Sequence, residues 1–222
     1  MPQRSKGAQA AARARQPAGE RSLHDQVSAL AHGDHGDPFS LLGLHAEKAD
    51  QLVVRCYHPA ASQAWVLDRT GDVVAELEQQ YEPGFFAGAV PGRIDYRLRF
   101  ALPARTLELE DPYRFPPVLG DVDMHLLAEG THLKIYERLG AQLIEMEGVK
   151  GVSFAVWAPN ALRVSVVGDF NDWDGRRHPM RKRVEAGVWE LFLPALLGGE
   201  LYKFEIKSAD GKLLPLKADP LS

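Results

Sequence analysis

The sequence is written twice. From Gln51 onward it consists of short runs in which apolar and polar residues alternate, each closed by turn residues, and the series recurs in the second half. Alternation over 52–57, 65–68, 73–77, 85–90, 94–100 and 107–110 predicts strands, as it does over 152–157, 164–168, 188–193, 201–207 and 213–217. Gly71-Asp72, Pro83-Gly84 and Pro91-Gly92 punctuate the first series; Asn171-Asp172, Gly187, Gly198-Gly199 and Asp210-Gly211 punctuate the second. The series also match in detail: Tyr57-His58-Pro59 against Trp157-Ala158-Pro159, Gly84-Phe85-Phe86 against Gly187-Val188-Trp189, 94–100 against 201–207, and Asp111-Pro112 against Asp219-Pro220. The offset grows only from 100 (Tyr57 to Trp157) to 108 (Asp111 to Asp219). Short strands with little helix between them do not build a parallel βαβ sheet. They predict an all-β chain of two tandem immunoglobulin-like β-sandwiches.

Around this repeat the chain divides into four stretches. Residues 1–21 carry Arg4, Lys6, Arg13, Arg15 and Arg21 against Glu20 alone, with no large apolar side chain after Met1, and read as a disordered basic tail. Residues 22–116 read as a short helix followed by the first sandwich. Ser22 is placed to cap the helix, Leu23, Val27 and Leu30 form its face, and Gly33 stops it. Residues 117–150 read as a linker with a short helical run at 133–139, and 151–222 as the second sandwich. With 222 residues there is no room beside two sandwiches for a (β/α)8 barrel, which needs about 250 by itself.

The chemistry on offer is narrow. Phosphate-loop, His-Glu-x-x-His and Gly-x-Ser-x-Gly motifs are missing, which points to no catalytic residue and no cofactor in this stretch. A net charge of −4 argues against nucleic acid as partner, and no apolar run is long enough to cross a membrane. The lone Cys56 fits a reducing, cytoplasmic compartment and reads as a core residue. His32, Asp34, His35 and Asp37 cluster in a Gly-containing loop that reads as a solvated turn, with no metal. Trp65, Trp157 and Trp189 fall inside strand patterns and are expected in the cores. Trp173 stands in the polar turn Asp169-Phe170-Asn171-Asp172-Trp173-Asp174-Gly175. Two readings of it stand: a flat platform on which a sugar ring stacks, or a lid folded over the edge of the core. Lys203 lies on the strand face opposite Tyr202 and Phe204, either as a donor to sugar hydroxyls or as a solvated lysine.

Several runs carry a resemblance. Gly151-Val152-Ser153-Phe154-Ala155-Val156-Trp157-Ala158-Pro159-Asn160, Val167-Gly168-Asp169-Phe170-Asn171-Asp172-Trp173, Leu201-Tyr202-Lys203-Phe204-Glu205-Ile206 and Glu129-Gly130-Thr131-His132-Leu133-Lys134-Ile135-Tyr136 resemble the second N-terminal module of bacterial glycogen branching enzymes. Asp37-Pro38-Phe39-Ser40-Leu41-Leu42-Gly43-Leu44-His45 and Asp111-Pro112-Tyr113-Arg114-Phe115 resemble the first module of the same family. The resemblance implies that the second module is a family 48 carbohydrate-binding sandwich. It also implies that the chain is the non-catalytic N-terminal part of a 1,4-α-glucan branching enzyme. Such an enzyme cuts an α-1,4-glucan and rejoins it through an α-1,6 bond on an α-amylase-class barrel, with an Asp nucleophile and a Glu acid/base. The implied partners are glycogen or linear α-1,4-glucan and that barrel, and the chain alone is expected to be inactive. By resemblance Trp173 and Lys203 are the sugar-binding residues, while the position of a second platform falls near Leu213, which is not aromatic. Two alternatives stay open: a stand-alone module that targets a partner to glycogen, and an immunoglobulin-like interaction protein.

Overall fold

The computed structural model describes residues 22–47 and 51–221; the basic stretch 1–21 lies outside them. Helix α1 (Leu23–Ala31) opens the described chain. Ser22 caps it, its hydroxyl accepting from the Asp25 amide at 3.2 Å and donating to the Asp25 carboxylate at 2.8 Å. Val27 and Leu30 bury its apolar stripe against Leu41, Leu42, Val53, Phe85 and Ala87. After a 3₁₀ turn (Pro38–Ser40) come β1 (Gly43–Ala46), β2 (Leu52–Tyr57), β3 (Gln63–Leu67), β4 (Val73–Gln79), β5 (Phe85–Val90), β6 (Arg97–Ala101) and β7 (Thr106–Glu110).

These seven strands form one antiparallel sheet in the order β1-β2-β5-β4-β3-β6-β7. The sheet folds over at β4, which pairs with β3 through Val73 to Leu77 and with β5 through Glu78 and Gln79. A strand that changes partners in this way turns one sheet into two packed layers. Between the layers lie Val54, Cys56, Val66, Leu77, Phe86, Tyr96, Leu98 and Phe100. Burial raises the Cys56 thiol well above its usual range, which suits an inert core residue.

The second module consists of β8 (Gly140–Met146), β9 (Val149–Trp157), β10 (Ala161–Gly168), β11 (Arg181–Arg183), β12 (Val188–Pro194) and β13 (Tyr202–Ser208). Sheet β11-β12-β9-β8 faces the pair β10-β13 across a core of Phe154, Val164, Val166, Met180, Trp189, Leu191 and Phe204. The outer face of the four-stranded sheet is covered by α2 (Asp121–Glu129), whose Met124 packs with Leu119, Leu139, Ala155 and Val188.

The duplication is visible in single contacts. Gly84 (φ +87°) and Gly187 (φ +65°) occupy the same place in each module; a Cβ would stand 2.5 Å from the His58 carbonyl oxygen and 2.6 Å from Pro159 Cβ respectively. The Gly84 carbonyl accepts from His58 N at 2.9 Å, and that of Gly187 from Ala158 N at 3.0 Å. Tyr96 donates its hydroxyl to Asp111 at 2.6 Å, and Asp111 also accepts from Tyr113 N at 2.9 Å. Tyr202 does the same to Asp219, which accepts from Leu221 N at 2.9 Å.

The segment 117–150 departs from its expected linker character. Its helix is α2 rather than 133–139, where only a 3₁₀ turn (Ile135–Glu137) forms. Gly130, left-handed at φ +71°, ends α2, and of the apolar residues in 133–139 only Leu139 reaches a core, while Leu133 is 92% exposed. The same segment supplies β8, joined to β9 by Glu147 and Gly148, both at positive φ as a two-residue hairpin demands. Residues 213–217 make only isolated bridges, Lys207 to Leu213 and Phe204 to Lys217, because Pro215 between them has no amide to give. Trp189 is fully buried and Trp65 partly so, but Trp157 is not in the core. As the last residue of β9 it shares the outer face with Ala155, beyond the cover of α2, and is 61% exposed.

The two modules are packed together. The Tyr113 hydroxyl donates to the carbonyls of Pro179 at 3.2 Å and Arg177 at 3.4 Å, and its ring meets Phe39 edge-on. The Arg181 guanidinium lies 3.6 Å from the Phe39 ring centre. Phe115 meets Phe192 at 4.9 Å. Buried Glu190 accepts from Val118 N at 3.1 Å and Leu119 N at 2.8 Å, and is paired with Arg183 at 3.1 Å.

Candidate functional site

The polar turn after β10 is held from below by Asn171, which is fully buried. Its carbonyl oxygen accepts from Gly168 N at 2.9 Å, and its amide donates to the Val166 carbonyl and to His178 Nδ1, each at 2.9 Å. Burial first, and Arg177 second, push the His178 imidazole down to about 3, so the ring is neutral and Nδ1 is free to accept. Gly168 lets the turn close, since a Cβ there would stand 2.4 Å from the Leu201 carbonyl oxygen. The result is two successive left-handed residues, Asp172 (φ +55°) and Trp173 (φ +58°). Non-glycine residues adopt this conformation at a cost, and such strain is concentrated where a side chain must be presented.

What the strain presents is the Trp173 ring. Its indole N–H donates to Asp169 at 2.8 Å and its backbone N–H to the Gly168 carbonyl at 3.0 Å, which fixes the ring edge. The side chain is 37% exposed and lines a cleft of about 450 Å3, within the usual range for small-ligand sites. Leu213, Lys207, Glu205 and Arg163 line it from the second module, and His32 and Gly33 from the loop after α1. Arg163 is 5% exposed; it donates to Ser165 at 2.7 Å and to the Gly175 carbonyl at 2.6 Å, and pairs with Glu205.

Lys203 is exposed on the same outward face of β13 as Glu205 and Lys207, opposite Val167, but it does not line this cleft. Lys207, four residues on, lines it and is paired with Asp34 of the first module. That role was not assigned from sequence; the strand period, which puts 203, 205 and 207 on one face, was the signal for it.

The carboxylates around the cleft are held by cations. Glu205 is paired with Arg163, Asp172 with Arg177 and Asp174 with Arg176. Partial burial pushes the Asp174 carboxyl up, but the hydrogen bonds from the Arg176 side chain and backbone and the charges of Arg176 and Arg177 together outweigh it, and the net shift is downward. These ion pairs stand beside one flat aromatic ring, that of Trp173. Among the described residues no three His, Cys, Asp or Glu side chains converge as a metal site; His35 is buried, while His32 and Asp34 turn to the cleft and its ion pair.

Residues 23–113 match the family described as the alpha-1,4-glucan branching enzyme GlgB, N-terminal domain. Residues 138–222 match carbohydrate-binding module 48, the isoamylase N-terminal domain. The 1,4-alpha-glucan branching enzyme GlgB of Cereibacter sphaeroides is 56% identical over 206 residues, 92% of this chain and 28% of that enzyme. The enzyme of the same name from Paramagnetospirillum magneticum is 57% identical over 195 residues, 87% of this chain and 26% of its own length. The chain thus spans about a quarter of the curated relatives it matches. A pullulanase of Anoxybacillus sp. LM18-11, solved with maltotriose, aligns over 80% of this chain and 25% of its own at 13% identity and a TM-score of 0.31.

Proposed function

As the chain belongs to the 1,4-alpha-glucan branching enzyme family, of which it spans the N-terminal domain and the carbohydrate-binding module, we propose that it binds α-1,4-glucan chains and positions them for branching. The chemistry is carried out by an α-amylase-type barrel of the parent enzyme, in the cytoplasm, and this stretch makes no bond itself. The observation that carries the reading is the Trp173 ring, held at its edge by Asp169 and open to a cleft. The apolar face of a glucose unit stacks on such a ring while polar groups take its hydroxyls. Lys203, exposed beside the turn, serves a chain that extends past the cleft.

An apolar edge supports the barrel as the protein partner. Leu143 on β8 adjoins the loop of Leu197 and Leu201, its Cδ1 3.3 Å from where a Cβ of Gly198 would stand, and all three leucines are exposed. Contiguous exposed apolar side chains mark a contact surface.

Calorimetric titration with maltoheptaose tests the binding role. The chain binds with a dissociation constant in the millimolar range, and Trp173→Ala weakens binding about two- to tenfold, the worth of one stacking contact. Equal affinity of variant and wild type rules Trp173 out as the platform.

A further inference from the structure

We infer that the cleft is a two-module site, in which the loop after α1, His32 to Asp34, is the second wall and His32 supplies a hydrogen-bond acceptor for the sugar. The inference rests on the cleft being a glucan site, as proposed above. The loop is seated on the second module by three contacts. Gly33, left-handed at φ +68°, lays its backbone against the guanidinium of Arg163: a Cβ there would stand 3.5 Å from Cζ. Gly36 brings the chain against β10, where a Cβ would be 2.9 Å from the Leu162 carbonyl oxygen. Asp34 pairs with Lys207, which lines the cleft from β13. The wall is therefore fixed in place and is not a passing neighbour.

His32 has the chemistry to use this position. Its Nδ1 lies 2.8 Å from the Ser28 carbonyl, which can only accept, so Nδ1 carries the proton. In the neutral ring Nε2 is then a bare acceptor. The residue is exposed and lines the cleft with Trp173. Sugar hydroxyls need acceptors as well as donors, and each of the second module's three carboxylates in the cleft, Glu205, Asp172 and Asp174, already shares its charge with an arginine, Arg163, Arg177 or Arg176. On the donor side, Arg163 Nε is buried and has no acceptor in the fold, although the other guanidinium nitrogens are bonded. One wall thus offers the stacking ring and the buried cation, and the other the free acceptor.

The test uses the whole chain and maltoheptaose. His32→Ala is expected to weaken binding about two- to tenfold, the worth of one neutral hydrogen bond, with the melting temperature unchanged. In the wild-type chain the NMR signals of the His32 ring are expected to shift during the titration. If Trp173→Ala binds more weakly but His32→Ala binds as wild type and the His32 ring signals stay still, the site belongs to the second module alone and the inference is overturned. If Trp173→Ala itself binds as wild type, the glucan reading of the cleft fails first and the two-module site falls with it.

Discussion

Asn171 uses its side-chain amide at both ends and ties the turn that carries Trp173 to the strand below it. Asn171→Ala leaves a buried amide and a buried carbonyl unpaired, and is expected to cost about 3 kcal/mol and to abolish glucan binding with it; chemical denaturation checks the first and titration the second. The same scale sets the pH response. Burial, reinforced by Arg177, keeps His178 near 3 and pushes His58 down to about 4, against about 6.5 in an unfolded chain. Both are neutral in the fold and take up protons on unfolding. The stability they contribute is complete above pH ~6.5 and is lost as the pH falls towards their folded values. Asp111 works the other way. Burial raises its carboxyl to about 6 against the hydrogen bonds of Tyr96 and Tyr113, so its ionisation costs stability above that pH, and the cost disappears on acidification towards ~3.9. Two histidines outweigh one carboxylate: the chain is expected to melt lower at pH ~4.5 than at pH ~7.5, and His58→Gln to flatten that slope. A melting temperature constant across the window contradicts the assignment.

At the scale of elements the repeat is the organising fact, and its glycines are where it can be tested. Gly84→Ala and Gly187→Ala each place a Cβ at positive φ against the neighbouring Pro59 or Pro159 turn, and each is expected to cost about 1–3 kcal/mol or more. Similar losses in thermal unfolding support equivalent roles; a neutral substitution at either position removes it from the repeat. The strands were legible in sequence where alternation and turn glycines coincide, as at 52–57 and 85–90. Strand β8 was not, although its Glu147-Gly148 turn was a usable signal, because its alternation is weak and half its residues face solvent. Helix α2 was overlooked for a similar reason. Its mean apolarity is low, while 133–139 looked more helical but buries only Leu139 and leaves Leu133, Ile135 and Tyr136 exposed, so tertiary contact and not periodicity decided between them. Trp173 was legible as a presented ring through its polar turn. The cleft around it was not, since it needs a loop more than 130 residues upstream (His32 to Trp173) that no local pattern connects to it.

For the whole molecule, the packing of Tyr113, Phe39 and Phe115 onto the second module turns two copies of one sandwich into a single platform. The two copies contribute different parts of the cleft. The second carries the strained turn and its ring; the first contributes α1 and the loop that walls the cleft. The most direct measurement is a crystal structure of the chain with maltoheptaose. A glucose ring stacked on Trp173, with hydroxyls reaching the His32 and Arg163 side of the cleft, is the predicted result. Sugar bound only elsewhere on the chain, with the Trp173 cleft empty, contradicts the account.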